Sequence, residues 1–424
     1  MKEFIMRCLI DGITHRGEGV ARINEKVAFI PFTIPGEEVE VEIVDERARF
    51  SRGKITQIVA PSPERAEPTC QYFYQCGGCA YQHVTYQLQL RLKKQVVTDA
   101  LRRIGQQKIA VQDVLGMEKP WQYRNKVTWQ VGELKGVKRL GYYQQDSHWH
   151  LPINRCWLLS PEITIFSQFL DSSLGFTGIL QEKKVVIRQA SDDSKLLLIV
   201  EGPVDEEGLK SLVKSYPGLE SLFIYENRQL KHLFGSKKMN LAIGPRRYQV
   251  SPLAFFQVNN QQTRRLYDEV KRMAGDNDAN SILDAYCGTG AIAIYVADQY
   301  KYVHGVDDFP PSIADAKSNA LLNNLSNCTF QAGACERIIP KLKQDFDTVI
   351  LDPPRAGCHK NLLLALSDKK IPQIIYVSCN PATLARDVKI LCESSYKIEL
   401  VQPVDMFPWT YHVETVVLIT RVDK

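Results

Sequence analysis

The first sixty residues alternate apolar and polar positions in short runs: MRCLIDGITHRGEGVARI, EKVAFIPFTI and EEVEVEIVDE, each broken by glycine or proline. A period of two is what a strand with one buried face requires. Several such strands in close succession predict a small β-barrel over residues 1–59. APSPERAEPT, which follows, is Pro-rich and polar and reads as a linker. From Tyr86 to Ile104 the period changes, and Leu88, Leu92, Val96 and Leu101 fall on one face of a helix. Residues 109–250 return to strand patterns such as VVIRQA, LLLIV and SLFIYE. From Pro252 onward helical stretches alternate with short apolar strands, SILDAYCG, YVHGVDD, DTVILDPP, PQIIYVSCN and VETVVLIT. That alternation is the βαβ signature of a doubly wound, mostly parallel sheet. The pattern therefore divides the chain into a barrel (1–59), a central strand-rich domain (60–250) and an α/β domain (251–424), with the 86–104 helix free to pack on the last.

Composition narrows the setting. A chain of 424 residues, 44% hydrophobic and 24% charged, is an ordinary globular protein of two to four domains. No apolar run approaches the ~20 residues of a membrane span. The start MKEFIMRCLIDG lacks the long apolar stretch and cleavage site of a signal peptide, so a cytoplasmic protein is expected. The net charge of +5 is uneven: residues 61–160 hold fourteen basic and seven acidic residues, and a polyanion would meet that block. Eleven cysteines without a secretory signal point to thiol chemistry or metal binding, not to a disulfide framework.

Three segments carry candidate chemistry. SILDAYCGTGAIAIYVAD reads as strand, Gly-rich turn and helix, and Asp307 ends the next strand, where an acid can accept from both hydroxyls of a ribose. Gly288, Gly290 and Ala293 also fit a dinucleotide fingerprint, but DPP after a later strand is a frequent methyltransferase feature with no role in that pattern. In PQIIYVSCNPATLARDV, Cys379 ends an apolar strand, while Asn380 and Pro381 suit the N-cap and first turn of a helix. A helix N-terminus lowers a thiol's pKa, so a reactive thiolate is expected there, against the alternative of an inert buried cysteine. Asp352 of DPPR and Glu414 of YHVETVVLI, both near strand ends, are the candidate bases. Finally Cys70, Cys76 and Cys79, with Cys156 of INRCWLL as the best fourth, have metal-ligand spacing; zinc and an iron–sulfur cluster fit equally.

Taken together and in order, FFQVN (255–259), DAYCGTG (284–290), DPPRAG (352–357), SCNP (378–381) and HVET (412–415), with CQYFYQCGGC, YRNKV and the RCW cysteine upstream, resemble a known family. The chain is similar, almost end to end, to the 23S rRNA (uracil-5-)-methyltransferases of the RNA m5U methyltransferase family, in the branch with a TRAM domain and an iron–sulfur cluster. The resemblance implies an OB-like TRAM barrel, a central iron–sulfur domain and a Rossmann-like catalytic domain using S-adenosylmethionine (AdoMet). It implies Cys379 as the nucleophile that adds to uracil C6 and Glu414 as the base that removes the C5 proton. Gln257, Tyr286, Asp307 and Asp352 would form the AdoMet site, and Phe255 would stack on the flipped uracil. Cys70, Cys76, Cys79 and Cys156 would hold a [4Fe-4S] cluster. Two positions depart from the family pattern: Ala291 stands where a polar residue is usual, and GACE (333–336) lacks the usual acid.

RNA is the implied partner, 23S rRNA first, with no role for DNA or membrane and a monomer expected. Arg124 and Lys126 of YRNKV are candidate phosphate contacts. In the barrel, which is slightly acidic overall, Arg47, Arg49, Arg52 and Lys54 are the local ones. The alternatives are a tRNA uridine-54 methyltransferase, whose usual lack of both TRAM domain and cluster argues against it, and an RNA-binding or assembly protein that has lost catalysis. An NAD-dependent oxidoreductase would leave SCNP and DPPR without a role.

Overall fold

The computed structural model describes residues 5–177, 184–191, 195–275 and 280–422, so residues 1–4 of the expected barrel and 423–424 of the last domain lie outside it. Six strands between Ile5 and Ala60 form one sheet whose inward side chains, Ile10, Ile23, Ile30, Val39 and Val41 among them, make a core of their own. The alternation seen in the sequence is thus the alternation of buried and exposed faces. The segment after Ala60 is pinned down. Arg65 reaches back to the buried Glu37 with two hydrogen bonds, 2.6 and 2.7 Å, and Thr85 N donates to Glu64 O.

Helix α1 (Tyr86–Arg103) begins where Thr85 accepts from Leu88 N at 3.3 Å. Its apolar stripe serves two masters. Leu88 and Leu92 pack with Ile34, Tyr81 and Val84 near the barrel, and Val97 and Leu101 enter the core of the last domain. Between these two ends sits a buried ion pair. Lys93 Nζ donates to Asp405 Oδ1 at 2.5 Å and to Phe407 O at 3.1 Å. Tyr86 and Gln89, two turns and one turn earlier, donate to Asp405 Oδ2 at 2.7 and 2.9 Å.

The central part is a seven-stranded sheet between Lys126 and Gly235. One face packs on the helix Pro161–Thr177 through Val127, Ile163, Phe166 and Ile187. The other, with Leu197, Ile199 and Phe223, joins the core of the last domain. The hairpin of Met239–Ile243 and Arg246–Val250 also buries its apolar residues in that core, although it precedes Pro252.

The last domain holds α2 (Asn260–Ala274), β1 (Ser281–Ala285), α3 (Ala291–Val296), β2 (Tyr302–Asp307), α4 (Pro310–Leu322), β3 (Cys328–Ala332), β4 (Thr348–Leu351), β5 (Gln373–Ser378), α5 (Pro381–Glu393), β6 (Tyr396–Val404) and β7 (Glu414–Arg421). The sheet order is β3-β2-β1-β4-β5-β7-β6. The first five strands are parallel, and β7 runs antiparallel to both neighbours. The central strands β1, β4 and β5 are buried on both faces, as their continuous apolar runs require. Among the described residues no helix is long and apolar enough to cross a membrane.

Asp405→Ala would leave the Lys93 ammonium buried without its carboxylate. Breaking a buried pair from one side costs about 3–5 kcal/mol, so chemical denaturation is expected to give a loss of that order, where an exposed aspartate would cost far less.

Candidate active site

Strand register brings the catalytic candidates together. Ser378 of β5 pairs with Thr415 of β7. The residue after Ser378 and the residue before Thr415, Cys379 and Glu414, therefore sit side by side at one sheet edge. Leu351 pairs with Tyr376 on the other side of β5, which brings Asp352 to the same edge. This is the carboxyl edge of the parallel strands, where open α/β sheets bind ligands. Asn380 caps α5, accepting from Ala382 N at 3.0 Å, with Pro381 in the first turn. Its amide and Thr383 Oγ1 both donate to Arg355 O, tying the DPPR turn to the Cys379 loop.

The electrostatics correct one expectation. The Cys379 thiol is not acidified: burial, then the facing carboxyls Glu414 and Asp352, push it up to about 11, with Arg355 pulling the other way. The helix end is satisfied by Asn380 and is outweighed. Glu414 is no solvated strand-edge charge but is 5% exposed; burial and then Asp352 raise its carboxyl to about 8, against Arg355. Burial raises Asp352 to about 7. Burial, then the Arg355 charge, lowers His412 to about 4. Its neutral ring stands 3.1 Å from the Arg355 guanidinium and can accept its hydrogen bond. Arg355 and His412 stood in the quoted motifs, but no feature of spacing marked them as a pair.

The Gly-rich turn lies alongside. Phe255, Gln257, Tyr286 and Asp352 line one cavity with Asp284 and Gly288. Asp307 stands directly behind, accepting from Gly288 N at 3.0 Å and Phe309 N at 2.9 Å. The two glycines do different work. Gly288, with φ +52°, faces open space and leaves bare backbone to a ligand, whereas a Cβ on Gly290, φ +76°, would stand 3.0 Å from Ala316 and Phe330. One oxygen of the buried Asp284 accepts from Ala293 N at 3.0 Å; the other has no partner. An unspent buried acceptor beside bare backbone fits a ligand rich in donors, as AdoMet is with its ammonium and ribose hydroxyls. Phe255, 68% exposed at the mouth, offers a free aromatic face. Ala291 opens α3, where its carbonyl accepts from Tyr248 OH, and Ala334 caps a single helical turn.

Cys70, Cys76, Cys79 and Cys156 converge on a separate cavity of about 170 Å³, walled by Tyr142, Ile153 and Leu158. All four are free thiols. Cys76 Sγ accepts from Gly78 N and Cys79 Sγ from Gln82 Nε2, at 3.4 and 3.3 Å. Burial raises all four, so in the absence of a metal they are neutral. Among the described residues no group of three His, Cys, Asp or Glu side chains is arranged to hold a single metal ion; the four sulfurs surround a space.

The phosphate contacts expected at Arg124 and Lys126 meet a different setting. Arg124 lines the cysteine cavity and donates to Lys126 O. Lys126 is half-buried, and burial followed by the Arg188 and Arg124 charges lowers it to about 8. YRNKV acts as a bracket: Tyr123 OH donates to Pro408 O, and Asn125 Nδ2 donates to Asn260 Oδ1 and to Gln257 O.

The sequence profile of the tRNA (uracil-5-)-methyltransferases matches residues 229–422, and that of the TRAM domain matches residues 5–56. Two curated relatives, both named uncharacterized RNA methyltransferases, come from Halalkalibacterium halodurans and Clostridium tetani. The first is 35% identical over 99% of this chain and 97% of its own, the second 37% identical over 97% and 95%. Among solved structures, the tRNA (uracil-54, C5)-methyltransferase of Pyrococcus abyssi in complex with S-adenosyl-L-homocysteine superposes with a TM-score of 0.79 at 26% identity, covering 98% of this chain and 100% of that one. That likeness to a tRNA enzyme covers nearly the whole of this chain, so the N-terminal barrel does not by itself decide for an rRNA substrate.

The raised thiol gives a test. Above about pH 8 the Glu414 charge opposes ionisation of Cys379. Glu414→Gln removes that charge, so the pH at which Cys379 becomes alkylatable by iodoacetamide is expected to fall. At fixed pH in that region, alkylation speeds up about tenfold for each unit of the fall. An unchanged profile would mean that the two groups do not sense each other.

Proposed function

The chain belongs to the RNA m5U methyltransferase family with an N-terminal TRAM domain, and from that premise we propose that it methylates uridine C5 in 23S rRNA through a covalent Cys379 adduct that Glu414 resolves. The observation that carries the reading is the Ser378–Thr415 register, which sets Cys379 beside Glu414, with Asp352 at the same edge next to the Gly-rich cavity. Uracil C5 is a weak nucleophile. Cys379, once its proton has passed to a neighbouring base, adds to C6 and makes the ring an enolate. AdoMet, when bound, supplies an electrophilic methyl group for C5. Glu414 then takes the C5 proton, the C5–C6 double bond re-forms and the Cys379 sulfur leaves. Gln257, Tyr286, Asp307 and Asp352 are the residues proposed for the cofactor, and Phe255 for the flipped base. The reading carries with it a monomer working in the cytoplasm.

A tRNA uridine-54 substrate is the second reading, favoured by the Pyrococcus likeness. Mapping of 5-methyluridine in rRNA and tRNA, with and without the gene, decides between them.

We further propose a [4Fe-4S] cluster at Cys70, Cys76, Cys79 and Cys156. In its favour is that four free thiols line one cavity, whose other walls are mostly apolar with Arg124 and Arg155 beside them, and that two sulfurs already accept N–H bonds. Protein purified without oxygen is expected to be brown with broad visible absorption, and Cys76→Ser colourless. Stoichiometric zinc without iron or sulfide would replace this reading and leave the methyltransferase untouched.

The two catalytic candidates are expected to have opposite phenotypes. Cys379→Ala should transfer no methyl and form no adduct. Glu414→Gln should transfer the methyl and then stall as a methylated protein–RNA complex, shifted on a denaturing gel with labelled AdoMet. Normal turnover by Glu414→Gln would pass the base to Asp352. In the wild type, thiol and base both act deprotonated and both are held above their ordinary values. kcat/KM is therefore expected to keep rising with pH past about 8, where Glu414 ionises, towards about 11, where the thiol does, and to be lost on the acid side.

A further inference from the structure

Two small chambers lie against the barrel, one of them at Cys379. One, of about 130 Å³, is lined by Cys379 and Arg355 of the last domain and by His15 and Arg16 of the barrel. The other, of about 230 Å³, extends past Phe32 to Gly77 and Ala80 of the cysteine segment. Arg16 and Tyr411 line both. The barrel is thus a wall of the site that holds the candidate nucleophile.

The turn carrying His15 and Arg16 is fixed in place. Thr14 Oγ1 accepts from the backbone N–H groups of Arg16 and Glu18 at 3.2 and 3.1 Å, and Thr14 N donates to Glu18 O at 2.8 Å. Gly17, φ +83°, lets the turn press on the cysteine segment: a Cβ there would meet the Tyr81 ring at 3.0 Å and Ala80 at 3.2 Å. Ile13 and Tyr411 pack on the same cluster as Ile34, Tyr81 and Leu88. A rigid turn therefore presents an exposed arginine beside an aromatic ring at the mouth of the site. Two of the barrel arginines expected to meet RNA pair instead within the barrel, Arg47 with Asp45 at 2.9 Å and Arg52 with Glu18 at 2.7 Å.

We propose that Arg16 and Tyr411 form a subsite for the unpaired nucleotide next to the target uridine, with Tyr411 stacking on its base and Arg16 holding its phosphate. The proposal rests on the reading of Cys379 as the nucleophile. Aromatic rings take unpaired bases of any identity, and an arginine alongside tracks the backbone. Tyr411 stands in a cluster of rings suited to this, 4.2 Å from His412 and 6.4 Å, edge-on, from His15. A base that stacks on Tyr411 must be unpaired, so the proposed substrate is a uridine with at least one unpaired neighbour.

The test uses the full-length protein, 23S rRNA and tRNA transcripts, and AdoMet with a labelled methyl group. On the transcript that is methylated, Arg16→Ala and Tyr411→Ala are each expected to raise KM for RNA by about tenfold. They should leave KM for AdoMet unchanged and change kcat much less than KM. Arg16→Ala should also flatten the log–log salt dependence of RNA binding by about one. Tyr411→Phe keeps the ring and should behave as the wild type. Unchanged KM and salt slope would overturn the proposal, and so would a joint fall of kcat, AdoMet affinity and Tm, which would make the turn a packing element. The Glu414→Gln gel reads the nucleophile separately: if no adduct forms there, the covalent reading fails while the KM and salt data still judge the subsite.

Discussion

The antiparallel return of β7 beside β5, in the register Ser378–Thr415, is the constraint on which the site depends. Five parallel strands bring Asp284, Asp307, Asp352 and Cys379 to one edge by topology alone. Glu414 comes to that edge from the opposite direction, and only the pairing register decides which residue faces Cys379. A slip of one residue would turn every side chain of β7 to the other face of the sheet. The apolar run of β7, buried on both sides, and its second partner β6 hold that register.

The chain between β6 and β7 has a second task. Asp405 receives Lys93, Tyr86 and Gln89 from α1. The Met406 carbonyl accepts from Asn259, that of Pro408 from Tyr123, and that of Trp409 from Ala80 and Tyr81. Trp409, held at φ +67°, stacks on Trp121 and donates to Pro120 O. Barrel, cysteine segment, central sheet and catalytic domain thus meet within a few residues of Glu414. A strained backbone persists where its surroundings over-determine it, and here they do.

The same enclosure sets the protonation of the site. Burial keeps a thiol and two carboxyls that face one another in their neutral forms more than water would. A cation entering the site would favour ionisation of all three, so the charge that comes with a sulfonium cofactor would also ready the groups that act on the base.

Much was legible in the sequence because it is local. The period of two gave the barrel strands, the stripe of Leu88, Leu92, Val96 and Leu101 gave α1, and Asn380-Pro381 gave the start of α5. Motif order identified the family, since glycines and acids beside a turn report the backbone they need. What the residues around each motif do was not legible. The Cys379 thiol read as acidic from its helix end, yet two carboxyls distant in the chain face it. Arg124 and Lys126 read as open phosphate contacts, yet they adjoin the cysteine cavity and the buried Arg188. His15 and Arg16 carried no signal at all; a turn of the barrel reaches the site only because Gly17 lets it close on Tyr81. Spacing along the chain fixes backbone geometry. Charge, exposure and partnership are set by whatever packs opposite, and that is decided only when the chain has folded.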